Sequence, residues 1–132
     1  MEDKLIEYST AKLAKEKGFN EECYFTYAKM SKEYCIFKSE YSVTNSEIDK
    51  YVYSAPTQSL LQRWLREIHN IHIITKPYIE SLGKKEITGY YIPTICTSSL
   101  DEYTEFYDNY STYEEALEMG LQEALKLIPN NL

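Results

Sequence analysis

The sequence predicts a single α+β domain over residues 1–132, with about three helices laid on one face of a mainly antiparallel sheet. The expected order is α-β-β-α-β-β-α, with room for extra short strands. Tyrosine is the first sign, at 14 Tyr against 4 Phe and 1 Trp. Its ring covers a pleated surface while its hydroxyl stays near water, so a sheet with a half-wet face is implied. Punctuation is the second: only 4 Gly and 4 Pro favour a few long elements over a many-turned β-sandwich. Length is the third, because 132 residues suit one core that buries roughly two thirds of the unfolded surface.

Residues 9–17 open with Ser9 and Thr10, good capping residues, and close at Gly18, a favoured helix terminator. Ala11, Leu13, Ala14 and the following Phe19 supply a modest apolar face, which places this short helix at the edge of the core. From Cys23 to Lys38, two runs rich in Tyr, Phe and Ile flank the polar break Lys29-Met30-Ser31-Lys32, the pattern of a β-hairpin. A turn centred on Met30 and Ser31 sets Tyr27 against Tyr34, Phe25 against Ile36 and Cys23 against Lys38. Residues 39–50 are polar and acidic and read as the loop most expected to move, with Tyr51-Val52-Tyr53 as a short third strand.

Residues 54–58 combine capping side chains with Pro56, read as a first-turn proline, and a helix over about 57–69 follows. Leu60, Leu61, Trp64, Leu65 and Ile68 form one stripe, while Gln62, Arg63, Arg66 and Glu67 fill the wet side. Two strands, 71–75 and 87–97, come next. Pro93 lies inside the second and lacks a ladder donor, which predicts an edge or bulged strand. Residues 101–108 alternate imperfectly and suggest one more strand. Two overlapping capping boxes at Ser111 to Glu115 open a last helix, whose buried stripe is Ala116, Leu117, Leu121, Ala124, Leu125 and Ile128 and whose stop is Pro129. Tyr8-Ser9-Thr10 and Tyr53-Ser54-Ala55 each introduce a helix and a strand pair, a faint sign of duplication.

Two phrases, SAPTQSLLQRWLRE at 54–67 and YEEALEMGLQEALKLI at 113–128, resemble a family of small uncharacterised proteins carried by gut Bacteroidetes and their phages or mobile elements. The resemblance covers about a quarter of the chain. It implies a bacterial or phage cytoplasmic protein and brings neither an activity nor site residues.

Composition narrows the chemistry. With 21 acidic against 14 basic residues the formal charge is -7, a field that repels polyphosphate, so general nucleic-acid binding is disfavoured. Cys23, Cys35 and Cys96 are an odd set without a CxxC pair, and Met1-Glu2-Asp3-Lys4 leads into no signal-peptide core, which fits reduced thiols in a cytoplasm. No apolar run approaches the ~18 residues needed to cross a bilayer. His69 and His72 are the only histidines; with the helix ending near His69 they do not share a face, and they read as a helix-end imidazole and a sheet-surface imidazole. The cysteine spacing suits no zinc site, and neither phosphate-cradling glycine motifs nor a serine-hydrolase elbow occur. No cofactor and no enzymatic activity are expected.

Two surfaces stand out as candidates for partners. The acidic aromatic segment 101–115, with Tyr103, Glu105, Tyr107, Asp108 and Tyr110, reads either as a charged sheet edge guarded against pairing or as a docking surface for a basic protein. Arg63 and Arg66 on the wet helix face, joined by Lys84 and Lys85, form the alternative, a nucleic-acid face whose ordinary reading is a solvated helix. The first expectation is a non-enzymatic interaction or accessory protein of a phage or mobile element with a protein partner. A DNA-associated regulator is the alternative, followed by an acidic mimic of nucleic acid.

Overall fold

The computed structural model describes residues 3–79, 87–97, 103–105 and 109–130, with backbone alone at 78–79, 87–90 and 103–105. The chain runs α1 (Tyr8–Glu16), β1 (Cys23–Met30), β2 (Glu33–Val43), a 3-10 turn (Asn45–Glu47), β3 (Tyr53–Ser54), α2 (Gln58–His69), β4 (His72–Ile79), β5 (Ile87–Cys96), β6 (Tyr103–Glu105) and α3 (Tyr113–Lys126). This is the expected α+β order with two extra short strands. All pairings are antiparallel, and the strands divide into two sheets ordered β2-β1-β3 and β4-β5-β6. The suggested duplication does not extend to topology, because the middle strand is the first of its group in one sheet and the second in the other. Helix α3 lies across β4 and β5 and touches both other helices, α1 packs on β3, and α2 packs on β4.

Helix α1 ends in a Schellman arrangement: Gly18 takes φ 93, its N–H bonds to the Lys15 carbonyl at 3.1 Å, and the Phe19 N–H reaches the Ala14 carbonyl at 2.9 Å. Phe19 is thereby turned into the core. The start differs from expectation. Glu7 is the N-cap and makes no side-chain cap bond, and Thr10 lies inside the first turn, fully buried.

The hairpin forms, with a register two residues away from the expected one. Tyr27 opposes Ile36, Phe25 opposes Lys38, Lys29 opposes Tyr34 and Met30 opposes Glu33, so Ser31 and Lys32 make the turn. Ser31 has φ 64, the positive value that a primed two-residue turn needs at its first central position. Strand β2 also runs on to Val43, where residues 39–43 were expected to be loop. Pairing jumps from Phe25 with Lys38 to Cys23 with Val43, so β2 bulges between these points. The segment after it is tied down. Thr44 and Glu47 form a capping box, the Asn45 amide donates to the Phe19 carbonyl at 2.8 Å, and its oxygen accepts from the Ser54 N–H at 2.9 Å.

Helix α2 begins at the Thr57 cap, whose hydroxyl accepts from the Leu60 N–H at 3.1 Å. Pro56 therefore precedes the cap, and its carbonyl takes the Ile6 N–H at 3.0 Å. Leu61, Trp64 and Leu65 are buried and Leu60 is partly buried, but Ile68, the last member of the stripe, is 62% exposed in the final turn. Trp64 meets Phe19 edge-on at 5.3 Å, which fastens α2 to the end of α1. Asn70 adopts the left-handed conformation at φ 53 and turns the chain into β4.

Every expected stripe residue of α3 is buried. A Cβ at Gly120 would meet Ile73 Cγ2 at 2.8 Å and Pro93 Cβ at 3.2 Å, so the missing side chain lets the helix approach the second sheet. Pro93 lies in β5, which is the middle strand and not an edge; β5 is bulged, as the alternative expectation had it, but between Ile87 and Tyr91 and not at Pro93. The Tyr91 N–H bonds to Tyr110, and two-residue alternation turns the Pro93 nitrogen to that same side. There it falls between the β6 pairing at Thr94–Cys96 and the isolated Tyr91–Tyr110 bridge, where the ladder tolerates a missing donor. Among the described residues no helix is long and apolar enough to cross a membrane.

Candidate functional site

Glu118 is the residue whose chemistry sequence reasoning missed. It is only 2% exposed, and its Oε2 accepts from the Glu7 N–H at 3.0 Å and from the Thr10 hydroxyl. Its Oε1 accepts from the Gln58 amide at 3.0 Å, which also donates to the Glu114 carbonyl at 2.9 Å. Gln122 donates to Thr10 Oγ1 at 2.9 Å. The carboxylate thus caps α1 from α3 and binds the start of α2, a clasp among three helices whose charge is met by donors. Its signal was present in the sequence, because Glu118 stands three and seven residues before Leu121 and Leu125 and so shares the buried face.

The tyrosines form a second cluster. Tyr8 stacks on Tyr34 at 4.1 Å and meets Tyr27 and Tyr53 edge-on at 5.9 and 5.8 Å. Burial, with help from the hydrogen bond to Tyr34, pushes the Tyr8 hydroxyl up to about 12. Lys15 lies 5.5 Å over the Tyr53 ring and donates to the Asp49 and Val52 carbonyls at 2.7 Å each, and burial lowers its pKa. These contacts serve packing, and beside them a hollow of about 340 Å³ is lined by Lys15, Gly18, Phe19, Asn20, Asn45 and Ser46.

The remaining reactive groups are dispersed. Burial first, and Glu21 second, push the Cys23 thiol up to about 11, so it is a poor nucleophile. Cys23, Cys35 and Cys96 are all free thiols. His69 packs edge-on against Trp64 at 4.7 Å, and His72 pairs with Asn70 Oδ1 at 3.1 Å on β4. Among the described residues no three His, Cys, Asp or Glu side chains converge for a metal. A hollow of about 330 Å³ between the starts of α2 and α3 is lined by Asp3, Lys4, Gln58, Ser59, Tyr113 and Glu114 among others.

The two predicted partner surfaces are only partly in view. Arg63 and Arg66 are exposed on α2, whereas Lys84 and Lys85 lie outside the described residues. Tyr107 and Asp108 also lie outside them, and Tyr103 and Glu105 contribute the backbone of β6. Tyr110 is partly buried and exchanges backbone hydrogen bonds with Tyr91 at 2.8 and 3.0 Å, so it holds the approach to α3 against β5.

A different surface among the described residues offers an open binding geometry: the free edge of β2. Met30 and Glu33 close a two-residue turn, so they form a hydrogen-bonded pair, and alternation turns the Cys35 and Phe37 amides toward β1. The N–H and C=O groups of Tyr34, Ile36 and Lys38 therefore point away from the sheet. An independent bond agrees: the Phe25 carbonyl, opposite Lys38, turns to the other side of β1 and accepts from the Ala55 N–H at 2.8 Å. Along this edge Ile36 is 47% exposed, Phe37 41% and Tyr41 77%, and no described group bonds to the outward backbone of Ile36. Tyr34-Cys35-Ile36-Phe37 contains neither charge nor proline, the two common guards of an open edge.

No family model, curated protein or solved structure matches this chain.

Proposed function

We propose that this protein is a non-enzymatic interaction protein that binds a protein partner by adding a strand to the edge of β2. The carrying observation is that edge: outward backbone groups at Tyr34, Ile36 and Lys38, flanked by exposed Ile36, Phe37 and Tyr41. An added strand gains affinity from main-chain hydrogen bonds and selectivity from alternate side chains. The dispersal of histidines and thiols, and the use of Glu118 as a clasp, support a binding role over a catalytic one. The phrases at 54–67 and 113–128 add the setting: an accessory protein of a phage or mobile element, working in a bacterial cytoplasm.

Affinity capture from cells that carry the protein, comparing the wild type with Ile36→Lys, tests the reading. A partner retained by the wild type and lost by the variant is the expected result. Equal capture by both proteins would remove β2 from the account.

Exposed Arg63 and Arg66 favour a second reading, a DNA-associated regulator that uses α2. The charge of -7 opposes it. No measurable affinity for random duplex DNA is expected at physiological salt. A salt-sensitive complex abolished by the double change Arg63→Ala and Arg66→Ala would promote this reading over the first.

A further inference from the structure

We infer that the strand added to β2 is β2 of a second copy of the chain, in an antiparallel pairing whose two-fold axis passes through Ile36. This rests on the reading of β2 as a protein-binding edge and names its partner. Two identical strands pair about a two-fold axis only when facing residues both turn their amides toward the new partner or both away from it. Because Tyr34, Ile36 and Lys38 are the outward set, facing residues must be separated by an even number, and the axis passes through a residue and not between two.

Charge then selects the residue. An axis at Cys35 sets Lys32 against Lys38, an axis at Lys38 sets that lysine against its own copy, and an axis at Glu40 does the same with an acid. An axis at Phe37 sets Tyr34 against Glu40 and Ile36 against Lys38, with no complementary charges. An axis at Ser39 would match Lys38 with Glu40, but it lies in the bulge between Lys38 and Val43, where β2 leaves its regular ladder. The axis at Ile36 sets Ile36 on Ile36, Cys35 on Phe37 and Lys38 on the Tyr34 ring, all within the regular ladder, while Lys32 in the turn and Glu40 in the bulge lie just beyond the paired stretch. Each of the unlike contacts occurs twice, and no like charges meet.

The pairing also remedies a weakness of the first sheet. Its third strand, β3, is two residues long, and a three-stranded sheet with so short a member has little ladder of its own. Joining two copies gives one continuous sheet in the order β3-β1-β2-β2-β1-β3 and closes the open edge of each.

Sedimentation and cross-linking of the purified chain test the inference without any other protein present. Under reducing conditions the wild type is expected to sediment as a concentration-dependent dimer. Ile36→Lys, which sets two lysines on the axis, is expected to weaken the dimer by roughly tenfold or more, with the melting transition unchanged only in protein dilute enough to be monomeric. In a Cys35→Ser background, mild oxidation of Ile36→Cys should yield a disulfide-linked pair, whereas wild-type Cys35 should not cross-link. A wild type that stays monomeric at every concentration overturns the inference, as does a dimer indifferent to Ile36→Lys. Cross-linking through Cys35 in place of Ile36→Cys would move the axis and overturn the register. A monomer that still loses a captured partner on Ile36→Lys would sink the second copy while leaving β2 as the docking edge.

Discussion

The two long edge strands of this molecule, β2 and β4, meet solvent in opposite ways. On β4 the Gln62 amide reaches over from α2 and donates to the Ile73 carbonyl at 3.0 Å, which shows that this carbonyl points away from β5. Alternation carries Thr75 and Pro77 to the same side, so the nitrogen of Pro77, which has no hydrogen to give, faces the free edge beside exposed Lys76. On β2 the comparable positions are Tyr34, Ile36 and Lys38, and neither a side chain nor a proline covers Ile36. One sheet therefore carries a covering side chain, a proline and a lysine along its edge, while the other has only the charges of Glu33, Lys38 and Glu40 around an unguarded stretch from Tyr34 to Phe37. In the proposed function the open edge is the one that takes the partner.

The largest expected effect comes from removing what holds the guard in place. Trp64→Ala should cost about 3 to 5 kcal/mol in denaturant titration, because the side chain is buried against Phe19 and anchors the helix that carries Gln62. The same variant should show faster amide exchange at Thr75, as β4 loses its cover. Glu118→Ala should cost about 3 kcal/mol, since it strands the Glu7 N–H, the Thr10 hydroxyl proton and one of the two Gln58 amide hydrogens in a buried site. That loss falls on the helix layer and should leave the contrast between the edges intact. Gln62→Ala should cost only about 1 kcal/mol, yet raise self-association through β4 by freeing the Ile73 carbonyl, which sedimentation would detect.

The smallest effect is a titration. The Cys23 thiol is raised from an ordinary 9.0 to about 11, so the native state keeps its proton after the unfolded chain has lost it. Its contribution to stability is complete below pH 9.0 and is lost as pH rises through about 11. Cys23 should therefore be the last thiol to react with iodoacetamide in native protein near neutral pH.

Much of this architecture was legible in the sequence where one face of an element is buried. The stripes of α2 and α3 carry their own period and Thr112 caps α3 as its capping box suggests, whereas the α2 cap falls at Thr57, after the proline read as its first turn. The hairpin was legible as a hairpin but not in register, because Lys-Met-Ser-Lys lacks an Asn-Gly or Asp-Gly signal and Met30 belongs to the strand. Ser39 to Val43 read as loop for a related reason: an edge strand exposed on both faces has no alternation to betray it. Pro93 suggested an edge or a bulged strand and β5 is bulged yet central, because a sequence does not reveal on which side of a strand the missing N–H falls. Glu118 was passed over because its charge hid a position that its spacing placed in the core. The candidate edge was least legible of all, since openness is a property of what fails to cover a strand.

Amide hydrogen exchange at Ile36, followed as protein concentration is raised, tests the central claim most directly, with Thr75 on β4 as the internal reference. Fast exchange at Ile36 is expected in dilute protein, with protection that grows with concentration while Thr75 stays constant. An Ile36 amide that exchanges equally fast at every concentration, or a Thr75 amide that gains protection in step with it, would contradict the account.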